Sequence, residues 1–298
     1  MGAARDEPPA VARRRVRREL RKARLALGLV QSDVADRLRW SLSKVQRIEN
    51  GDVGISITDL QALLGVYGVH DEATVRQLTK DAAISRRQRW SVPAEYREHL
   101  TPGLRQLMQF EAEATAIRAY QPFFIPGVVQ TPAMAEHLLG WFDKTLTDED
   151  RKVRFDVRMM RSKRIIDHED APTYLLMLDE GVLGREVGGR AIMVDQLEAV
   201  AKIAQRPNVH IRIVKLSDGA WVGMLGAFTV LDLSEDPEDA VLYREDYATD
   251  AIEHDTKRVT FYRARFEDMW QRCYGEADSL RLISAQVGVL RASMIRGA

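Results

Sequence analysis

The chain has 298 residues, 45% of them hydrophobic, and its formal net charge is zero. That length is sufficient for two domains. No apolar run approaches the roughly 18 residues that a membrane helix needs, and the opening MGAARDEPPA lacks the apolar segment of a secretory signal. The single cysteine, Cys273, excludes an intrachain disulfide and is expected to be a small buried side chain. We therefore expect a cytoplasmic protein with no membrane partner.

The zero net charge conceals an uneven distribution along the chain. The first 90 residues contain 18 basic and 11 acidic side chains, a net charge of +7. The remainder contains 26 basic and 33 acidic side chains, a net charge of −7. A basic segment joined to an acidic one is typical of a DNA-binding domain attached to a module of another kind. Basic charge alone gives only non-specific, salt-sensitive affinity, so specificity requires a motif as well.

Helical periodicity dominates the first 85 residues. A first helix is predicted from Val11 to Gly28, with an apolar face of Val16, Leu20, Ala23 and Leu27. Two later helices are predicted after residue 55, one opened by Ser56 and the other by Asp71. The remaining face of the first helix is basic and suits either phosphate contacts or plain solvation; it comprises Arg13, Arg14, Arg17, Arg18, Arg21 and Arg24.

Between these helices lies VQSDVADRLRWSLSKVQRIENG, residues 30–51, which predicts two short helices joined by a tight turn. Ala35 is small where the two helices must cross, and Ser41 is placed to cap the second one. Val45 and Ile48 predict its buried face. An amphipathic hairpin used only for packing would share this periodicity. The polar outer face instead favours a helix-turn-helix whose second helix lies in the major groove of double-stranded DNA.

The predicted DNA-binding residues follow from this orientation. Ser43 and Gln46 are the better base readers, whereas Lys44 and Arg47 also suit phosphates. One such unit contacts only a short half-site, so we also expect a homodimer held mostly by residues after 90. The complete predicted set is Gln31, Ser41, Ser43, Lys44, Gln46, Arg47 and Asn50.

Four features of this stretch carry a family resemblance. They are Gln31, the Val34-Ala35 pair, the turn around Arg39-Trp40, and the closing Val45–Gly51 segment, VQRIENG. Together they resemble the lambda-repressor-like regulators of the xenobiotic-response-element (XRE) type. The resemblance implies an all-α, five-helix, lambda-repressor-like DNA-binding domain, which we assign to residues 1–85.

Residues 86–298 have a different pattern, in which strands and helices alternate. Pro122, Pro126 and Gly127 interrupt the helical pattern, and Thr131-Pro132 restarts it. We predict an α+β domain, with helices over 102–118, 148–167, 191–205, 256–274 and 276–292, and strands over 173–179, 209–216, 226–233 and 240–246.

This second part carries a resemblance of its own. Its markers are Pro126–Thr131 (PGVVQT), Asp179–Leu183 (DEGVL), Val187-Gly188-Gly189 and Gln196-Leu197. They are similar to signatures of two-domain regulators known mainly from filamentous, GC-rich bacteria. The resemblance implies an antitoxin-like C-terminal domain that binds a small cognate partner protein. From the residues themselves, we expect Gly127 to provide a left-handed turn and Gln130 to bond a backbone group or a partner.

The patterns of catalytic and metal sites are missing from the sequence. It contains no Gly-x-Ser-x-Gly, no phosphate-loop Lys signature and no Gly-x-Gly-x-x-Gly, and its six histidines are scattered singly. We therefore expect no enzyme activity, no cofactor and no metal. An alternative function is a ligand-sensing repressor, although ordinary core packing explains the same aromatic residues. The pocket would be lined by Tyr120, Phe123, Phe124, Trp141, Trp221 and Met224.

Overall fold

The computed structural model describes residues 9–50, 54–86, 93–142, 146–218, 224–234, 239–245 and 250–296. The chain divides into two compact units, Met1–Ser91 and Val92–Ala298. Each unit has a hydrophobic core of its own. Within the described parts of the chain, no helix is both long and apolar enough to cross a membrane.

The described part of the N-terminal unit contains five helices, which confirms the predicted all-α architecture. The Ser56 hydroxyl accepts a hydrogen bond from the Asp59 N–H at 2.9 Å, and the Asp71 carboxylate accepts one from the Thr74 N–H at 2.8 Å, so both predicted caps are present. The helices are α1 (Pro9–Ala26), α2 (Gln31–Leu38), α3 (Leu42–Asn50), α4 (Ile57–Val66) and α5 (Glu72–Ser85).

The buried face of α1 differs from the prediction at its C-terminal end. Val16 and Leu20 are buried, as expected, but Leu27 lies beyond the last helical residue and is 51% exposed. Arg24 is buried instead, at 7% exposure. The spacing explains this, because Leu20 and Arg24 are four residues apart and therefore lie on the same face of the helix. A prediction based on hydrophobicity alone does not place a charged residue on the buried face of a helix.

Among its described residues, the C-terminal unit has one six-stranded mixed sheet, which confirms the α+β prediction. The spatial order of its strands is β3-β2-β1-β4-β5-β6. The first three strands are parallel to one another, whereas β4, β5 and β6 each run antiparallel to the preceding neighbour. The strands are β1 (Ala116–Gln121), β2 (Thr173–Asp179), β3 (Val209–Val214), β4 (Phe228–Asp232), β5 (Ala240–Glu245) and β6 (Asp250–Glu253).

Helices pack against this sheet, and two of them begin at the caps Thr131 and Thr147, of which Thr131 was predicted and Thr147 was not. Thr131 accepts a hydrogen bond from the Met134 N–H at 3.3 Å, and Thr147 accepts one from the Asp150 N–H at 3.1 Å. Gly188 and Gly189 have positive φ angles, 74° and 87°, where the chain turns into a helix. The helices are α6 (Pro102–Glu111), α7 (Pro132–Phe142), α8 (Asp148–Ser162, continued by a π-helical turn over Lys163–Asp167), α9 (Glu180–Leu183), α10 (Arg190–Ile203), α11 (Thr256–Arg272) and α12 (Glu276–Arg296).

The predicted helix over 102–118 is wrong after residue 111. Helix α6 ends at Glu111, and the chain then enters β1, where Ile117 and Ala119 are buried. This strand lies between β2 and β4, so partners from distant parts of the sequence determine its conformation. Strand β6 was also missed, because its sequence DAIE has little β-forming character.

Candidate nucleic-acid interface

A tight turn fixes the approach of α3 to α2. Arg39 closes α2 in the left-handed region at φ 54°, a conformation that an L-residue other than Gly seldom adopts. The Trp40 N–H donates to the Ala35 carbonyl at 2.8 Å, and the Ser41 hydroxyl accepts from the Lys44 N–H at 3.2 Å. One helix is therefore terminated and the next is capped within three residues, which is the geometry of a helix-turn-helix.

The outer face of α3, which we call the recognition helix, carries three of the predicted residues side by side. Ser43, Gln46 and Arg47 are exposed, while Val45 and Ile48 are buried on the opposite side at 1% and 5% exposure. Residues three and four apart adjoin on a helix surface, so the exposed three form one continuous row. The side chain of Asn50, also predicted for this row, falls outside the described residues.

Lys44 lies to one side of that row. Its Nζ is 2.8 Å from an Asp59 carboxylate oxygen and 3.7 Å from the centroid of the Trp40 ring. An ion pair and a cation–π contact together draw the ammonium towards α4 and the turn. Ser41 is exposed and uses its hydroxyl oxygen as the cap, which leaves its O–H as a donor.

Gln31 belongs to a buried polar cluster beneath the recognition helix. Its amide donates to the Glu49 carboxylate at 2.8 Å, and the same carboxylate accepts two bonds from Arg24, at 2.7 and 2.9 Å. Arg24 also donates to the Leu29 carbonyl at 2.7 Å. The hydrogen bond with Glu49 raises the pKa of Arg24 above its ordinary value. Arg24 is thus a structural residue, which corrects its assignment to the phosphate-binding face of α1.

An open polar cleft of about 310 Å³ adjoins this cluster at the start of α2, lined by Arg21, Arg24, Val30, Gln31 and Glu49. Arg21 is exposed at its rim. The free N–H groups of a helix start and a nearby guanidinium both favour an anion such as a DNA phosphate. Further up α1, two arginines are engaged by α5, since Arg13 donates to the Ser85 carbonyl at 2.9 Å and Arg15 to Asp81 at 3.1 Å.

No role is predicted for Glu49 from the sequence, whereas the structure shows that its carboxylate bonds Arg24 and Gln31. It sets the position of the recognition helix, because it joins α3 to both α1 and α2. The signal in the sequence was an acidic residue directly after Ile48, on the apolar side of an otherwise amphipathic helix.

In the C-terminal unit, Gln130 and Gln196, the two glutamines of the signature segments, form internal hydrogen bonds. The Gln130 amide donates to the Ile125 carbonyl at 2.6 Å, and its oxygen accepts from Arg158 at 2.9 Å. Gln196 is fully buried; its oxygen accepts from the Thr131 N–H and its nitrogen donates to the Val129 carbonyl, both at 2.7 Å. These bonds satisfy the backbone of the irregular Pro122–Thr131 segment, where no regular helix or strand would do so.

A glycine is required at position 127 because the Arg158 side chain packs closely against it. The left-handed turn expected at Gly127 is not present. Its φ angle is not among the positive values of the described glycines. A Cβ atom at this position would lie 3.1 Å from Arg158 Nε and 3.4 Å from the Arg158 Cδ and Cγ atoms. The close approach of α8 therefore explains the glycine.

The aromatic residues proposed for a ligand pocket are dispersed. Tyr120 is fully buried in the core beside Phe228, whereas Phe123 is 51% exposed, Trp141 70% and Met224 86%. Phe124 borders an apolar cavity of only about 10 Å³, enough for no more than one water molecule. Trp221 lies outside the described residues. Exposure of this degree does not fit the lining of an enclosed pocket, and it also departs from the core packing expected for Phe123, Trp141 and Met224.

Residues that could bind a metal ion or act as a nucleophile are considered next. Among the described residues, no three His, Cys, Asp or Glu side chains are grouped so that they could hold a metal ion. Cys273 is buried, as predicted, and burial raises the pKa of its thiol to about 12, which opposes formation of the reactive thiolate.

The larger unit matches a family described as Domain of unknown function (DUF5753) over residues 104–285, which is more than half of the chain. The chain belongs to the DUF5753 family. In this DUF5753 protein, residues 15–78 also match a family described as Helix-turn-helix domain. The matched residues cover α2, the turn and α3, and the match supports a DNA-binding regulator. No curated protein and no solved structure gave a significant match.

Proposed function

We propose that the protein is a sequence-specific, XRE-type transcriptional regulator that inserts α3 into the major groove of double-stranded DNA. The observation that carries this proposal is the exposed row of Ser43, Gln46 and Arg47, backed by buried Val45 and Ile48. A face of this kind offers donors and acceptors to base edges, while the opposite face holds the helix at a fixed angle.

The side chains of this row divide by chemistry. Gln46 can bond the two major-groove groups of adenine at once, Arg47 can do the same with guanine or bind phosphate, and Ser43 can reach either kind of base. Ser41 lies at the start of the recognition helix and suits the DNA backbone. Gln31 and Lys44 remain in the proposed set on sequence grounds, although their side chains bond Glu49 and Asp59 within the unit. Asn50 is included on sequence grounds.

We further propose that the protein acts as a cytoplasmic, nucleoid-associated homodimer, held mostly by residues after 90. Two recognition helices about 34–36 Å apart would contact successive major grooves of an inverted repeat. Two half-sites give the specificity that one short helix cannot provide. Sedimentation of the full chain, alone and with its operator, tests this stoichiometry, and a monomer in both cases would contradict it.

For the C-terminal unit, we propose binding of a small cognate partner protein in the manner of an antitoxin, without catalysis. The support comes from the resemblance of the signature segments Pro126–Thr131, Asp179–Leu183 and Val187-Gly188-Gly189 to those of two-domain regulators. The acidic balance of this part of the chain favours a basic partner. Purification of the tagged chain from its native cells, with mass spectrometry of the bound proteins and small molecules, distinguishes a partner from a ligand.

The decisive experiment for DNA binding is selection from a pool of random duplexes with the full chain, followed by footprinting of the enriched sequence. We expect one inverted repeat to be enriched, with a Kd that increases steeply with salt concentration. Failure to enrich any sequence, while the protein remains folded, would contradict the proposal.

A further inference from the structure

Leu42 stands out on the DNA-facing part of the helix-turn-helix. It is the first residue of the recognition helix, and its side chain is 43% exposed. The other large apolar residues of this helix, Val45 and Ile48, are buried in the core. Part of the apolar surface of Leu42 therefore remains open to a partner at the start of the recognition helix.

The position of Leu42 on the helix is well defined. The Ser41 cap fixes the start of the helix immediately before it. Gln46 follows four residues later, so the two side chains are separated by only about 40° around the helix axis. Leu42 thus lies next to the proposed adenine reader. It also lies at the N-terminal end of the recognition helix, where side chains of this motif reach base edges.

On the proposed function, we infer that Leu42 is a specificity-determining residue that contacts the C5-methyl group of a pyrimidine, next to the base pair read by Gln46. A leucine has no hydrogen-bonding group, so it can distinguish base pairs only by shape and apolar contact. The methyl group of thymine is the one large apolar feature on the major-groove edge of unmodified DNA. A 5-methylcytosine presents the same group and would be recognised by the same contact.

The test uses DNA that differs only in this methyl group. In the selected operator, each thymine is replaced in turn by deoxyuridine, which removes the methyl group and retains every hydrogen-bonding atom. The Kd of each duplex is measured for the full-length parent, for Leu42→Ala, and for Leu25→Ala. Leu25 is a matched control, because it is 57% exposed and lies on α1.

At one thymine in each half-site, we expect deoxyuridine to weaken binding by the parent and by Leu25→Ala about fourfold, the value of one buried methyl group. At that position Leu42→Ala should bind thymine and deoxyuridine equally well. Replacing the same base pair by C·G or 5-methylC·G distinguishes the two sources of the methyl group, and we expect the methylated form to bind the parent more tightly.

Three outcomes would overturn the inference. One is that every deoxyuridine substitution affects the parent and Leu42→Ala equally. Another is that Leu42→Ala keeps the affinity and base preference of the parent on every duplex. The last is that the folded parent enriches no sequence at all, which would also remove the proposed function, whereas the first two leave that function intact.

Discussion

Arg24 and Glu49 form a two-point ion pair inside the N-terminal unit, with Nε–Oε1 and Nη2–Oε2 distances of 2.7 and 2.9 Å. The pair joins the end of α1 to the recognition helix, and both residues are at most 7% exposed. The Gln31 amide binds the same carboxylate. The orientation of α3 within this unit therefore depends on three side chains that do not belong to its exposed row.

Removing the charge of Glu49 should destabilise the N-terminal unit strongly. In Glu49→Gln the buried Arg24 guanidinium loses its counter-ion, and we expect a loss of about 3–5 kcal/mol. Thermal and urea unfolding of the full chain, followed by circular dichroism, measure this loss. Glu72→Gln is the matched control, because Glu72 pairs with Arg76 on the surface of α5, and it should change stability by less than about 0.5 kcal/mol. Equal effects of the two variants would refute a stabilising role for the buried pair.

Gln46→Ala should change the base preference of operator binding without unfolding the protein. Gln46 is exposed, so its truncation leaves the core intact, while the loss of a bidentate base contact should weaken operator binding by about 1–3 kcal/mol. Repeating the duplex selection should show relaxed preference at one base pair per half-site. Gln205→Ala, an exposed glutamine of the C-terminal unit, should retain the parent's preference. An unchanged base preference for Gln46→Ala would mean that the helix is rotated differently on DNA.

Gln196→Leu should loosen the C-terminal unit. The substitution leaves the Thr131 N–H and the Val129 carbonyl without their buried partner, at about 1–3 kcal/mol for each unsatisfied group. Calorimetry of the full chain should show a lower melting temperature for this unit. A variant that melts like the parent but loses its co-purifying partner would instead identify Gln196 as a recognition residue.

Two glycine substitutions should change the stability of the C-terminal unit in opposite directions. Gly127→Val places atoms against the Arg158 side chain, and we expect destabilisation of about 1–3 kcal/mol, with a smaller effect for Gly127→Ala. Gly140 is an exposed position in α7 with nothing within 4 Å of an added Cβ atom. Gly140→Ala should therefore stabilise the unit by about 0.5–1 kcal/mol. The melting temperatures of both variants, measured together, check the pair, and stabilisation by Gly127→Val would disprove the crowding argument.

The stability of the C-terminal unit should depend on pH through His99 and Asp150, whose Nδ1 and Oδ1 atoms are 2.7 Å apart. The hydrogen bond to Asp150 raises the pKa of His99, so this stabilisation is complete below about pH 6.5 and is lost as the pH rises through the folded value. Hydrogen bonds from Thr147 and His99 lower the pKa of Asp150 to about 2, so its part is lost only in strong acid.

We expect the melting temperature of this unit to fall as the pH rises above about 6.5, and to fall less in His99→Gln. The difference between the two profiles isolates the histidine. Parallel profiles for the parent and the variant would show that the ion pair contributes nothing to stability.

Local interactions made most of the N-terminal unit predictable from its sequence. Caps such as Ser56 and Asp71 act within three residues, and the core positions repeat at helical spacing. Strand β1 was not predictable in this way, because its conformation comes from pairing with β2 and β4. The role of Arg24 was missed for the same reason, since its partner Glu49 lies 25 positions away in the sequence.

The central place of β1 has a consequence for synthesis on the ribosome. Once β2 and β3 have emerged, β1 can complete a three-stranded parallel half-sheet, but its other edge stays open until β4 ends at Asp232. At about 5–20 residues per second, the nascent chain exposes that edge on a scale of seconds. An unpaired edge of this kind readily joins another chain. A stop codon between β3 and β4 should therefore release a fragment that aggregates. A stop codon soon after α5 should release a fragment that contains no strand of the sheet and does not aggregate in this way.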